Sequence, residues 1–305
     1  MKLPSERVVT ENSRTAYALN KLKQNILAVD TLDAFTAQLL RNNTDVVQGL
    51  WISSLGVSAR AGFEDVYNLS PRDYVQLIQD ISMARNKEEQ LLIVDADNGG
   101  QSHKNTRYAF ELYAQLGVDL GIVENKRGVK YNSVDASATK LHQLEDNSVF
   151  ADKINAAKKQ EVALVAARIE NGILNEEDSE KAVEESMQVT DYLYKNARPD
   201  MYVFHWKTSD PATPVLFAKK YHEKYSSDDN RPLLGCIPTT YSKNISNQQL
   251  FRSGYNLIVY GNILLRSQMK SVLDALNSIQ ANDSTRRLDE ELPNLKELFS
   301  LVYRK

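Results

Sequence analysis

The segment Leu92-Ile93-Val94-Asp95-Ala96-Asp97-Asn98-Gly99-Gly100 brings two carboxylates, one residue apart, out of an apolar run and into a glycine turn. If that run is a strand, residues two apart share a face, so Asp95 and Asp97 point towards one spot. Carboxylates so close repel each other unless a cation lies between them or one keeps its proton. Taken alone, the pair is equally a solvated turn with an Asx cap at Asp97. Glu124 ends the next apolar run and adds a third carboxylate, and Asp65, in Gly62-Phe63-Glu64-Asp65, could supply a fourth. Oxygen-only donors without paired His or Cys ligands disfavour zinc and favour Mg²⁺ or Mn²⁺, with magnesium the first choice.

The elements that must position these groups are legible in the apolar pattern. Short apolar stretches at Ile26–Asp30, Val46–Ser53, Gln90–Asp97, Leu120–Glu124, Ala163–Ile169, Met201–His205, Leu233–Pro238 and Leu257–Tyr260 read as strands buried on both faces. Helix-like stretches alternate with them, at Leu32–Arg41, Pro71–Ala84, Asn105–Leu116, Phe150–Lys159, Asp178–Asn196 and Ala212–Lys224. Ser70 reads as an N-cap with Pro71 at the first helical position. Helices at Ile263–Ala281 and Glu290–Tyr303 follow the last strand. Eight alternating strands mean a closed barrel or a doubly wound sheet. Ser53–Ser54, Asp95–Asp97, Glu124, Arg168, His205 and Thr239–Thr240 all fall at strand C-terminal ends. One shared mouth explains them best, so the expected fold is α/β, a (β/α)8 TIM-type barrel. A single domain spans 1–305, with an N-terminal helical extension over about 1–24 and C-terminal helices over about 263–305.

Bulk properties fit this and remove other classes. The 305 residues are 42% hydrophobic and 25% charged, ordinary for a globular chain. A formal net charge of −3 gives no basic footprint for nucleic acid. Cys236 is the only cysteine, so no intramolecular disulfide points to an oxidising compartment. The stretch 1–18 lacks the apolar centre of a signal peptide, and no run reaches the length of a membrane span. The expected location is the cytoplasm, with no membrane partner.

Several segments together resemble one known group of barrels. Gly49-Leu50-Trp51-Ile52-Ser53-Ser54-Leu55, Asp95-Ala96-Asp97-Asn98-Gly99-Gly100 and Glu124-Asn125-Lys126-Arg127-Gly128-Val129-Lys130-Tyr131-Asn132-Ser133 are similar, in order and spacing, to motifs of the phosphoenolpyruvate mutase family within the isocitrate lyase superfamily. The similarity continues through Ala167-Arg168-Ile169-Glu170, His205-Trp206-Lys207, Pro238-Thr239-Thr240-Tyr241 and Gly261-Asn262…Arg266. The carbon–carbon lyases of that superfamily carry a cysteine motif in the loop after the fourth strand, where this chain has Lys130-Tyr131-Asn132-Ser133. Cys236 lies far away, in the seventh strand, as a small buried residue. Hydrolases of the group carry threonine where mutases carry asparagine, so Asn132 points to the mutase. Asn125 replaces the family aspartate and Val129 its proline.

The resemblance implies interconversion of phosphoenolpyruvate and phosphonopyruvate, with Mg²⁺ at Asp95, Asp97, Glu124 and Asp65. It implies substrate contacts from Trp51, Ser53, Ser54, Leu55, Ser133 and Arg168. Catalytic roles fall to Asn132, Lys130, His205, Arg168 and Asp65, within a gating loop over about 125–147. It further implies a homodimer or homotetramer that exchanges the last barrel helices. Two other readings remain beside it: phosphonopyruvate hydrolysis or a related enol- or keto-acid reaction, and a carboxylate-binding barrel without turnover. Arg168 seen alone is more often a structural ion-pair residue, and His205, between Phe204 and Trp206, more often a satisfied core histidine.

Overall fold

The computed structural model describes residues 13–66, 69–128, 131–133, 141–174 and 178–302. Eight parallel strands close into a barrel: β1 (Ile26–Asp30), β2 (Gly49–Ile52), β3 (Leu91–Asp95), β4 (Leu120–Glu124), β7 (Leu164–Ile169), β8 (Met201–His205), β9 (Leu233–Ile237) and β10 (Leu257–Tyr260). Around the barrel they run β1-β10-β9-β8-β7-β4-β3-β2. Between β4 and β7 a short antiparallel ribbon, β5 (Lys126–Arg127) and β6 (Gln143–Leu144), ties down the ends of the intervening loop.

Alternation along the strands divides the core in two. Ala28, Trp51, Ile93, Ile122, Ala166, Val203, Ile237 and Val259 fill the barrel interior. Leu50, Leu92, Val94, Val123, Val165, Ala167, Tyr202 and Phe204 face outwards and pack in the other, larger apolar cluster. Counting two residues on from the last interior side chain of β3, β4, β7 and β8 reaches Asp95, Glu124, Arg168 and His205. The same parity that fills the core thus delivers these four groups to its C-terminal end.

Helices α2 (Ala34–Arg41), α5 (His103–Gln115), α6 (Asn147–Lys158), α8 (Ser179–Asn196) and α9 (Ala212–Lys224) lie close to their expected places. Other boundaries differ for local reasons. The second strand stops at Ile52 because Ser53 is the N-cap of a helix not anticipated, α3 (Ser54–Ala61). Pro71–Tyr74 is a 3-10 turn leading into α4 (Val75–Ala84), and the Ser70 amide and hydroxyl both donate to Asp73 there. Short helices α7 (Asn171–Leu174) and α10 (Asn247–Arg252) were likewise not legible in the pattern. Instead of one terminal helix over Glu290–Tyr303, α12 (Arg286–Glu291) and α13 (Leu295–Val302) flank Pro293, which lacks the N–H a helix interior needs. Among the described residues no helix is long and apolar enough to cross a membrane.

Two helices outside the ring matter for the barrel's ends. At the N-terminal end, α1 (Arg14–Leu22) plugs the interior with Ala18 and Leu22. Its Arg14 and Arg85 at the end of α4 converge on Asp119, whose carboxylate also accepts the Leu92 amide at 2.8 Å. At the other end, α11 (Ile263–Asn282) has no buried residue, although Met269, Val272, Leu273, Leu276 and Ile279 recur at helical spacing. The Leu264 and Leu265 amides at its start both donate to the buried Asp30 carboxylate at 2.8 Å.

The Asp119 carboxylate is fully buried and holds the buried Arg85, the half-buried Arg14 and a strand amide. Asp119→Ala is expected to lower unfolding stability by about 3–5 kcal/mol, the scale for breaking a buried ion pair. Urea denaturation followed by circular dichroism measures it, and a loss under about 1 kcal/mol would contradict this account.

Candidate active site

The C-terminal mouth of the barrel encloses a cavity of about 50 Å³. Its walls include Trp51, Ser53, Ser54, Leu55, Asp65, Asp95, Asn132, Ser133, Arg168 and His205, drawn from residues far apart in the chain. Ile237, Thr239, Gly261 and Asn262 complete the wall, from the ends of β9 and β10. Trp51 and Asp95 arrive on strand parity. Ser53 to Leu55 arrive at the start of α3, where the Ser53 side chain makes no capping hydrogen bond. That leaves a helix N-terminus turned to the cavity wall without its usual side-chain cap, a place that favours an anionic group. The Asn132 amide donates to Asp65 at 2.8 Å, so the loop after β4 meets the loop after α3 over the cavity. Lys130 and Val129 lie outside the described residues.

Arg168 is the hub. Its Nε donates to Glu170, and its Nη2 donates to Ser133 Oγ at 3.1 Å and lies 3.0 Å from His205 Nδ1. Its Nη1 is 3.6 Å from Asp95 and its Nη2 is 3.7 Å from Glu124. Burial alone would lower the guanidinium's pKa, but Glu170, Glu124 and Asp95 outweigh it and raise it. Glu170 shows the reverse balance. Burial opposes its charge, yet Arg168, Lys126 and His205 hold it well below the usual carboxylate range. Arg168 is therefore a structural ion-pair residue that also lines the cavity.

Asp95 and Asp97 do not share a strand face. The strand ends at Asp95, and Asp97 sits in the following turn at φ 50°, left-handed backbone that aspartate tolerates better than most residues. Its amide donates to Asp95 Oδ1 at 3.1 Å, an Asx turn. The expected turn is thus present, with Asp95 rather than Asp97 as its side-chain acceptor. Asp97 lines a separate cavity of about 500 Å³ beside Tyr74, Tyr108 and Tyr113. Glu124, 1% exposed, lies behind Arg168 and 3.7 Å from Lys126 Nζ. Among the described residues no three of His, Cys, Asp and Glu close into a metal cage. Asp65 and Asp95 line the same cavity, and Tyr74, on the wall of the second cavity with Asp97, lies within the electrostatic reach of all three. Burial raises the Tyr74 phenol's pKa well above its ordinary value, and Asp97, Asp95 and Asp65 raise it further. An oxygen-only set of this kind fits Mg²⁺, which keeps several waters and takes few direct protein ligands.

Sequence reasoning passed over the support beneath these residues. Ser133 Oγ donates to Glu170 at 3.0 Å while accepting from Lys126 and Arg168, which uses its one proton and both lone pairs. The Lys126 ammonium also donates to the Tyr131 carbonyl at 3.1 Å. Asn125 accepts the Glu170 amide at 2.9 Å and donates to Asn171 at 3.0 Å. Asn125, quoted above as a departure from the family pattern, is thus built into the site's backbone. The available signal was Glu170, an acid two residues beyond Arg168 and hence beyond the strand's end. Cys236 is buried in β9, and burial pushes its thiol up to about 12, so it offers no thiolate to the chemistry.

A family model described as phosphoenolpyruvate phosphomutase matches residues 17–280. The chain belongs to that family. Phosphonopyruvate hydrolase from Variovorax sp. (strain Pal2) is 23% identical over 254 residues, covering 83% of this chain and 82% of the relative. The solved phosphoenolpyruvate phosphomutase from Streptomyces platensis subsp. rosaceus superposes with a TM-score of 0.81 at 22% identity, covering 94% of each chain. A phosphonopyruvate hydrolase in complex with oxalate and Mg²⁺ superposes at 0.77 with 20% identity, covering 95% of this chain and 94% of that one. Members of this superfamily are enzymes, and its relatives here include both a mutase and a hydrolase. Membership therefore establishes the fold and the superfamily, and leaves the reaction to the site.

The electrostatics set an acid limit on stability. Burial pushes His205 below its ordinary value of 6.5, and Glu170 lies well below 4.5. For both, the unfolded chain takes up the proton before the folded one as pH falls. Their stabilisation is complete above about pH 6.5 and is lost on acidification, His205 first. Thermal midpoints are expected to fall steadily below about pH 6.5, with a smaller fall just below that pH in His205→Asn. A midpoint that stays flat down to about pH 4.5 would contradict the assignment.

Proposed function

We propose that this protein is a Mg²⁺-dependent phosphoenolpyruvate mutase, an isomerase that interconverts phosphoenolpyruvate and phosphonopyruvate. In the forward sense the P–O bond of the enol phosphate breaks and a P–C bond forms at the methylene carbon, with no net water. The observation that carries this reading is the meeting of Asn132, Arg168 and His205 on one small cavity, opposite the uncapped start of α3. Donors of this kind suit a phosphoryl group in flight, whose charge spreads over three oxygens and whose transfer depends on positioning. The α3 N-terminus, with Ser53, Ser54 and Leu55, suits the carboxylate at the other end of a three-carbon acid. Trp51 walls the apolar middle.

Mg²⁺, when bound among Asp95, Asp97, Glu124 and Asp65, would supply charge neutralisation for the enolate oxygen and carboxylate. The remaining work falls to this chain's own side chains. Arg168 orients the phosphoryl group by its fork of donors. Asn132 offers an amide rather than a hydroxyl at the position where a hydrolase of this group carries threonine, and Ser133 anchors the loop beside it.

Incubation with Mg²⁺ and phosphonopyruvate, followed by phosphorus NMR, is expected to yield phosphoenolpyruvate. Inorganic phosphate as the main product would replace the mutase with a hydrolase. No conversion would favour a carboxylate-binding barrel. Asp95→Ala is expected to lower metal-dependent turnover about 100-fold or more, and full retention would remove Asp95 from the metal set.

The unpartnered apolar stripe of α11 supports a homo-oligomer in which this helix packs on a neighbouring barrel. It follows the eighth barrel strand, where a barrel normally folds a helix back on itself. Light scattering is expected to give at least a dimer, and Leu273→Asp with Leu276→Asp is expected to reduce the mass. A monomeric unsubstituted protein would remove this reading.

A further inference from the structure

Glu170 does not itself line the cavity, yet two residues that do, Arg168 and Ser133, both hydrogen-bond to it. It is 1% exposed and its two oxygens are divided between partners. Oε1 takes Arg168 Nε, and Oε2 accepts the Ser133 hydroxyl at 3.0 Å. Lys126 Nζ stands 3.9 Å from Oε2, and the residue's own amide is held by Asn125 at 2.9 Å. Such a carboxylate sets the plane of the guanidinium by fixing one edge of its fork. That plane brings Arg168 Nη2 to 3.0 Å from His205 Nδ1.

The consequence follows from the donor inventory. A guanidinium nitrogen only donates and is not deprotonated in proteins. The imidazole nitrogen facing it must therefore accept, which leaves the ring's proton on Nε2. Glu170 Oε1 also lies 3.5 Å from His205 Nδ1, and a proton there could point to it. The distances decide against this: 3.5 Å is at the outer limit of a hydrogen bond, whereas Arg168 Nη2 lies 3.0 Å from Nδ1. Among the described residues His205 Nε2 is buried without a hydrogen-bond partner, on a ring that lines the cavity.

We propose that Glu170 is the positioning residue of this site: through Arg168 it fixes His205 as a neutral imidazole whose Nε2–H is presented to the cavity. The imidazole is then a hydrogen-bond donor of fixed direction to an anionic oxygen, and neither a base nor a proton reservoir. This rests on the reading of the cavity as a phosphoryl site only for what the donor serves. The tautomer itself belongs to the protein without substrate or metal.

The test uses the full chain labelled with ¹⁵N in its histidines, His103, His142, His205 and His222, free of metal and substrate. His205→Asn identifies the His205 signals. At neutral pH the ring is expected to show one nitrogen as a pyridine-type acceptor at Nδ1 and a protonated Nε2. Glu170→Gln is expected to replace this with a mixture of tautomers and to lower kcat about 10–100-fold, the range for residues that orient a ligating or reacting group. Glu170→Asp keeps the charge, and is expected to recover the single tautomer and part of kcat. If Glu170→Gln does not fold, Glu170→Ala is read by the same signals, and the Nδ1 and Nε2 signals of the unsubstituted protein still decide the tautomer. A proton on Nδ1 in the unsubstituted protein overturns the proposal, as does a Glu170→Gln protein with unchanged tautomer and unchanged kcat. Failure of phosphonopyruvate to react would sink the mutase reading and leave the tautomer result standing.

Discussion

Burying the Arg168 guanidinium withdraws a full charge from water, at an effective cost of several kcal/mol unless carboxylates are buried with it. Three meet it at the barrel mouth: Glu170 in direct contact, Asp95 and Glu124 near 3.7 Å. Each is itself tolerable there only because Arg168 and Lys126 are present. The charges are mutually dependent, so the site is one unit whose members cannot be exchanged singly. That dependence also explains why so many of its polar atoms point inwards rather than to solvent.

The barrel supplies the geometry that this balance needs. Parallel strands with a common register put alternate side chains on one interior surface, and the last inward position of each strand opens at the same end. Asp95, Glu124, Arg168 and His205 occupy such positions on β3, β4, β7 and β8. Beneath them lie the apolar residues of the interior, which exclude water and so strengthen every interaction above. Stability and chemistry thus share a periodicity. The acid sensitivity of the first and the charge pattern of the second have the same origin.

The barrel's two ends are finished differently. At one end α1 caps the interior and the Asp119 ion cluster seals it. At the other, α11 starts on Asp30 and leaves with its apolar stripe uncovered. Among the described residues, none packs closely enough on this 20-residue helix to bury a side chain.

The order of apolar runs and polar strand ends was enough to place eight strands, the mouth and the wall residues Ser53, Ser54, Asp95, Arg168, His205 and Thr239, because period-two alternation is a local property of the chain. The motif similarity added the loop residues Asn132 and Ser133, which no periodicity marks. Tertiary structure alone decided the rest. It moved Asp97 off the strand into a left-handed turn, since a strand's end is set by what its neighbours can pair with. It inserted α3 after β2, so that Ser53 begins a helix instead of ending a strand. It made Glu170, Lys126 and Asn125 the support of the site, because which charge faces which depends on contacts between residues up to 46 positions apart. Residue types and spacing determined which groups reach the mouth; only packing in three dimensions decided which of them touch.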